Sequence, residues 1–136
     1  MTISTTTIKN SYSGDGSTTV FAYTFKIATT ADIQVIIRSS AGVETVKTLT
    51  THYTVSGAGD ASGGNVTFTS GNTPASGETV VIRRATTQTQ TVDLVENDPF
   101  TADSVEGAFD KNLAIIQELQ EQSDRSFKVS RTNTIT

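Results

Sequence analysis

Apolar and polar residues alternate along the first hundred positions with the two-residue period of strands, and then switch to the period of a helix. Phe21, Tyr23 and Phe25 alternate with Ala22 and Thr24 directly after the turn-like Ser13-Gly14-Asp15-Gly16-Ser17, the pattern of a half-buried strand. The segment from about Ile3 to Tyr12 is expected to pair with it across that turn. Ile33, Val35 and Ile37 repeat the alternation, and Ala41-Gly42 separates them from the run Val43 to Leu49, which predicts a β-hairpin. Shorter strand signals follow at Tyr53-Val55, Val66-Phe68 and Val80-Ile82, divided by glycine-rich turns and by Gly71-Asn72-Thr73-Pro74. Short strands with frequent turns predict an antiparallel sandwich or small barrel.

The period changes after Glu96-Asn97-Asp98-Pro99-Phe100-Thr101. Asp98 or Thr101 suits a helix N-cap and Pro99 suits the first turn, so a helix is expected from about Thr101 to Phe127. At 100° per residue, Ala102, Val105, Phe109, Leu113, Ile116 and Leu119 fall within one arc, which Ala108 and Ile115 widen. That arc is broad enough to meet both the β-domain and other copies of the helix. Glu121 with Arg125 and Asp124 with Lys128 stand in the favourable acid-first i,i+4 order. The tail from Val129 to Thr136 is expected to be strand-like or irregular.

Composition sharpens this picture. Threonine fills 26 of 136 positions, and its branched Cβ suits a pleated surface. With 35% hydrophobic and 18% charged residues, the chain is of the globular rather than the disordered class. The net charge of −4 is shared equally between residues 1–100 and 101–136, and neither part has the basic patch that nucleic acid requires. Cysteine is absent, which removes disulfides, thiolate metal sites and thiol nucleophiles. The start lacks an apolar signal core and no stretch approaches the length of a membrane span, so a soluble, unprocessed chain without membrane insertion is expected.

Candidate chemistry is sparse. The single histidine, His52, lies between Thr51 and Tyr53 and is expected to be solvated or locally hydrogen-bonded rather than a general base. Gly57-Ala58-Gly59-Asp60-Ala61-Ser62-Gly63 superficially resembles a dinucleotide loop, but its third glycine is displaced by one and a strand follows where phosphate binding needs a helix N-terminus. Asp15 and Asp60 fit turn chemistry better than a calcium loop. Nothing marks a paired-carboxylate hydrolase, and no cofactor or metal is expected. The polar cluster Arg83, Arg84, Gln88 and Gln90 suits an interface.

Taken in order, Tyr12-Ser13-Gly14-Asp15-Gly16-Ser17 leading to Phe21 and Phe25, Asp32-Ile33-Gln34-Val35, His52-Tyr53-Thr54-Val55, Gly64-Asn65-Val66-Thr67-Phe68, Val81-Ile82-Arg83-Arg84 with Gln90, and Asn97-Asp98-Pro99-Phe100 before Ala102, Glu106, Phe109, Asp110 and Gln117 give the chain a family likeness. It resembles the amino-terminal tail-attachment domain of tail fibres and tailspikes from short-tailed bacteriophages. The resemblance implies a non-enzymatic virion protein of the tail: a homotrimeric fibre base that docks on adaptor and nozzle proteins, with receptor binding or depolymerase activity elsewhere. Family members are commonly much longer, so a truncation or a short anchoring protein is expected.

The expected architecture is therefore mainly β: a small antiparallel β-sandwich or barrel-like domain followed by a C-terminal α-helix that trimerises. The expected division is a β-rich tail-attachment domain over 1–98, an oligomerising helix over 99–128, and the start of a shaft or an irregular tail over 129–136. Ala102, Val105, Phe109, Leu113, Ile116 and Leu119 are the expected oligomerisation residues; Arg83, Arg84, Gln88 and Gln90 are tail-docking candidates. The alternatives are a carbohydrate-binding β-sandwich, disfavoured because the chain has no tryptophan, and the anchor of a polysaccharide depolymerase whose catalytic part lies elsewhere.

Overall fold

The computed structural model describes residues 6–90, 96, 101–127 and 131–132. Seven strands precede one helix: β1 (Lys9–Ser13), β2 (Val20–Tyr23), β3 (Ile33–Arg38), β4 (Glu44–Val46), β5 (Tyr53–Val55), β6 (Gly64–Phe68), β7 (Thr79–Arg84) and α1 (Ala102–Arg125). The strands form two antiparallel sheets, ordered β1-β7-β3-β4 and β2-β6-β5.

The alternation read from the sequence decides which side chains enter the core. Ile33, Val35 and Ile37 of β3 are buried, as are Val80 and Ile82 of β7, and the register sets Val35 opposite Ile82 and Ile37 opposite Val80. Phe21, Tyr23, Tyr53, Val66 and Phe68 bring the second sheet into the same cluster, with Phe25 and Ile27 just beyond β2. One apolar core is therefore shared by both sheets, as in a β-sandwich. Within it Phe21 and Phe68 meet edge to face at 5.8 Å, and Tyr23 lies 5.3 Å from Phe25. The Tyr23 and Tyr53 hydroxyls find backbone acceptors at Ser56 and Ile33, so neither phenol is buried without a partner.

The β3–β4 hairpin forms around Gly42, which takes a positive φ of 89°. Gly63, at the start of β6, has φ 88° and sits so close to β2 that an added Cβ would strike the Tyr23 carbonyl. Only glycine meets both conditions there. The expected pairing of the first segment with the Phe21 strand is corrected: β1 pairs with β7, Tyr12 opposite Val80. Its link to β2 is through side chains, with the Tyr12 hydroxyl donating to Ala22 O at 2.6 Å and Asn10 bonding Thr24. The free edge of β7 offers a full ladder of backbone partners to β1, whereas the turn at Asp15 swings the chain away to the other sheet.

The Asp15 carboxylate organises that turn. It accepts from the Ser17 and Thr18 amides at 2.8 and 2.6 Å and from the Thr18 hydroxyl at 2.6 Å. The Thr18 hydroxyl and amide, followed by the Ser17 amide, hold its pKa down at about 2. Asp60 plays the lesser version of the same part, accepting from the Ser62 amide at 2.8 Å. His52 is locally bonded as expected, its Nδ1 accepting from the Thr48 amide at 3.0 Å.

The helix starts where Thr101 caps it, the hydroxyl accepting from Ser104 N at 3.3 Å. Asp98 and Pro99, the other expected start signals, lie outside the described residues, as do Lys128 and most of the 129–136 tail. Over 24 residues the helix is about 36 Å long at about 1.5 Å per residue.

Candidate functional site

The helix offers two faces with opposite chemistry. On one, Phe109 is 67% exposed, Leu113 40%, Ile116 60% and Leu119 55%. On the other, Ala114 and Glu118 are the buried residues of the helix. At 3.6 residues per turn, Phe109 points about 140° away from Ala114, and Ile116 about 160° away from Glu118. The large side chains of the apolar stripe therefore face away from the helix's own β-domain, while Val105, Ala108 and Ile115 at the edge of the broad arc are half-buried.

What holds α1 to the β-domain is polar. Glu118 Oε1 accepts from Arg84 Nε at 3.3 Å, from the Thr86 amide at 2.9 Å and from the Thr86 hydroxyl at 2.7 Å. The Arg84 guanidinium also donates to the Ala114 and Lys26 carbonyls, each at 3.4 Å, and to the Gln117 side chain. Burial draws its pKa below the ordinary arginine value, against the opposing pull of the Glu118 and Asp32 carboxylates; arginine stays protonated through such a shift. Asp32, itself buried, accepts from the amides of Thr29 and Thr87 and from the Thr87 hydroxyl. Two further ion pairs flank this centre: Lys26 with Asp110 at 3.0 Å and Lys9 with Glu121 at 3.4 Å. Arg125 is the leading cause that holds Glu121 below the usual carboxylate range, with Lys9 adding to it.

The expected docking cluster is thereby divided. Arg84 is 1% exposed and bound on every side, so its placement on a docking surface is corrected: it belongs to the joint with the helix. The signal for this was in the sequence, because Val80, Ile82, Arg84 and Thr86 share one parity and all four are buried. Arg83, on the opposite parity, is half-buried, and Gln88 and Gln90 are exposed. Along the helix, Ala102 is exposed and Val105 half-buried. A cleft of about 360 Å³ separates the first half of α1 from the β-domain, lined by Lys26, Thr87, Gly107 and Lys111 among others. Among the described residues no cluster of histidine and carboxylate side chains could hold a metal ion, and no helix is long and apolar enough to cross a membrane.

A two-sheet β-domain gripping one polar face of a helix, with four large apolar side chains turned outward, defines a structural assembly module. The comparisons give that class a particular family. A family model described as the N-terminal domain of the phage T7 tail fibre protein matches residues 1–133, and the chain belongs to that family. The tail spike protein of Salmonella phage epsilon15 is 38% identical over 120 residues, which cover 88% of this chain and 11% of that protein. The chain is a structural component of the phage tail, and neither comparison favours a carbohydrate-binding module.

Proposed function

We propose that this chain is the amino-terminal anchor of a trimeric tail fibre or tailspike. Phe109, Leu113, Ile116 and Leu119, with Val105 and Ala102 above them, form the seam between three copies, and the β-domains dock on the adaptor and nozzle proteins of the tail. The observation that carries the reading is the exposure of those four large side chains on the face their own domain leaves free. A contiguous apolar patch of this kind marks a protein interface. Arg83, Gln88 and Gln90 remain the docking candidates, being the polar positions of the original cluster that keep some exposure.

Trimerisation serves attachment through effective concentration: once one β-domain is bound, the other two meet their sites as tethered rather than free ligands. The 136 residues themselves carry no catalysis in this reading. The similar tail spike is far longer, with this chain spanning 11% of its length, so any cleavage of host polysaccharide is assigned to other parts of such a protein. The division into an attachment domain over 1–98, an oligomerising helix over 99–128 and a shaft start over 129–136 belongs to the same proposal.

The test is to mix the purified chain with phage tails stripped of fibres and to measure both its molar mass by light scattering and its co-sedimentation with the tails. A trimer that binds them, and loses binding in Arg83→Ala/Gln88→Ala/Gln90→Ala, is expected. A well-folded monomer at high concentration, or a trimer that ignores the tails, overturns the proposal.

A further inference from the structure

The three ion pairs that join α1 to the β-domain among the described residues all have the same polarity. Lys9, Lys26 and Arg84 stand on the β-domain, and Glu121, Asp110 and Glu118 on the helix. The helix is suited to this, since Ala102–Arg125 carries six carboxylates against two cations. Its fully buried residues are Ala114 and Glu118, with Val105, Ala108 and Ile115 half-buried, while Phe109, Leu113, Ile116 and Leu119 stay exposed. An amphipathic helix normally docks by its apolar stripe; here the large side chains of the stripe are kept out of the contact.

A joint built this way has two properties. Burying Arg84 and Glu118 costs desolvation that their attraction roughly offsets, so the pair adds little net stability but makes any other alignment unfavourable. Sliding the helix by four residues either way would bring Ala114 or Gln122 to the place of Glu118 and leave the guanidinium without a carboxylate. The four large apolar side chains of the helix also stay out of the joint, and the core of the β-sandwich lies between its own sheets.

We propose that Arg84 and Glu118 are the positioning pair that sets the direction in which each β-domain projects from the stalk, with Lys26–Asp110 and Lys9–Glu121 steadying the angle. The use made of that angle, presentation of the docking surface, rests on the anchoring function above; the joint itself lies within one copy.

The absence of cysteine makes the test direct. Thr45→Cys on β4 and Gln122→Cys on the helix, both exposed, receive spin labels, and the distance between them is measured by pulsed electron resonance in samples diluted with unlabelled chain. Near-UV dichroism of the buried tyrosines and the molar mass are recorded on the same material. The native chain should give one narrow distance. Glu118→Ala should lose it while the tyrosine signal and molar mass hold, and Glu118→Gln, which keeps an acceptor for Thr86, should fall between. A broad distribution in the native chain overturns the proposal, as does a narrow one that survives in Glu118→Ala combined with Asp110→Asn and Glu121→Gln. Loss of the tyrosine signal in Glu118→Ala would make the pair a requirement of the β-fold and also overturn it. A native monomer with a narrow distance would refute trimeric anchoring but leave the joint standing.

Discussion

Replacing Phe109 by aspartate tests the proposed seam where its contribution can be worked out from the structure. The side chain is 67% exposed in one copy, so about two-thirds of its surface is still available for burial. Full burial of a large apolar side chain contributes about 1.5–3 kcal/mol, which leaves about 1–2 kcal/mol per copy and about 3–6 kcal/mol for a symmetric trimer. At about 1.4 kcal/mol per tenfold change in an equilibrium constant, Phe109→Asp should raise the trimer dissociation constant on the order of 10²- to 10⁴-fold. The desolvation of three carboxylates adds to this in the same direction. Sedimentation equilibrium over a wide range of concentration reads the constant directly, with Gln122→Asp, exposed but off the stripe, as the control for added charge. An unchanged mass-against-concentration curve for Phe109→Asp would refute the reasoning, and so would equal weakening by the control.

The β-domain yields further tests. Phe25→Ala empties a fully buried site and should cost about 3–5 kcal/mol, measured by denaturant unfolding of the tyrosine signal; a loss under about 1 kcal/mol would mean that the two sheets collapse around the gap. Gly63→Ala combines φ 88° with a clash at the Tyr23 carbonyl and should destabilise by about 1–3 kcal/mol or more, whereas Gly59→Ala, with nothing near its Cβ, should pay only the strain of its positive φ. Asp15 has its pKa lowered to about 2, so its charge stabilises the fold at every pH above the ordinary carboxylate value of about 3.9, and that stability is lost as pH falls from there towards about 2. Asp15→Asn should thus be less stable than the native chain at neutral pH and converge with it in acid; a constant difference down to pH 2 would contradict the role of the charge.

What the sequence revealed and what it concealed divide along the range of the interactions. Strand identity is local: Phe21 and Tyr23, or Ile33, Val35 and Ile37, declare their buried parity within a few residues, and Thr101 declares the helix start. The pairing of β1 with β7 is not local, because nothing in Lys9–Ser13 distinguishes β7 from the nearer β2 as a partner. The polar joint was hidden for the same reason. Its members lie 34, 84 and 112 residues apart in the chain for Arg84–Glu118, Lys26–Asp110 and Lys9–Glu121. A helical wheel shows which side chains avoid water but not which side meets the parent domain, and the usual assumption that these coincide fails for α1. Arg83 and Arg84 look alike in composition, and only the two-residue period that makes Val80 and Ile82 core residues and continues through Arg84 tells them apart.

The separation of the helix into two faces has a consequence for how such proteins diversify. The residues that grip the β-domain and the residues proposed to face neighbouring copies are different ones, so a change in one set can leave the other in place. On the proposed anchoring function, a different shaft or enzyme could be spliced onto the far end of this helix, with the seam residues rewritten to match and the plug left unaltered. One base would then serve several working ends without renegotiation with the tail.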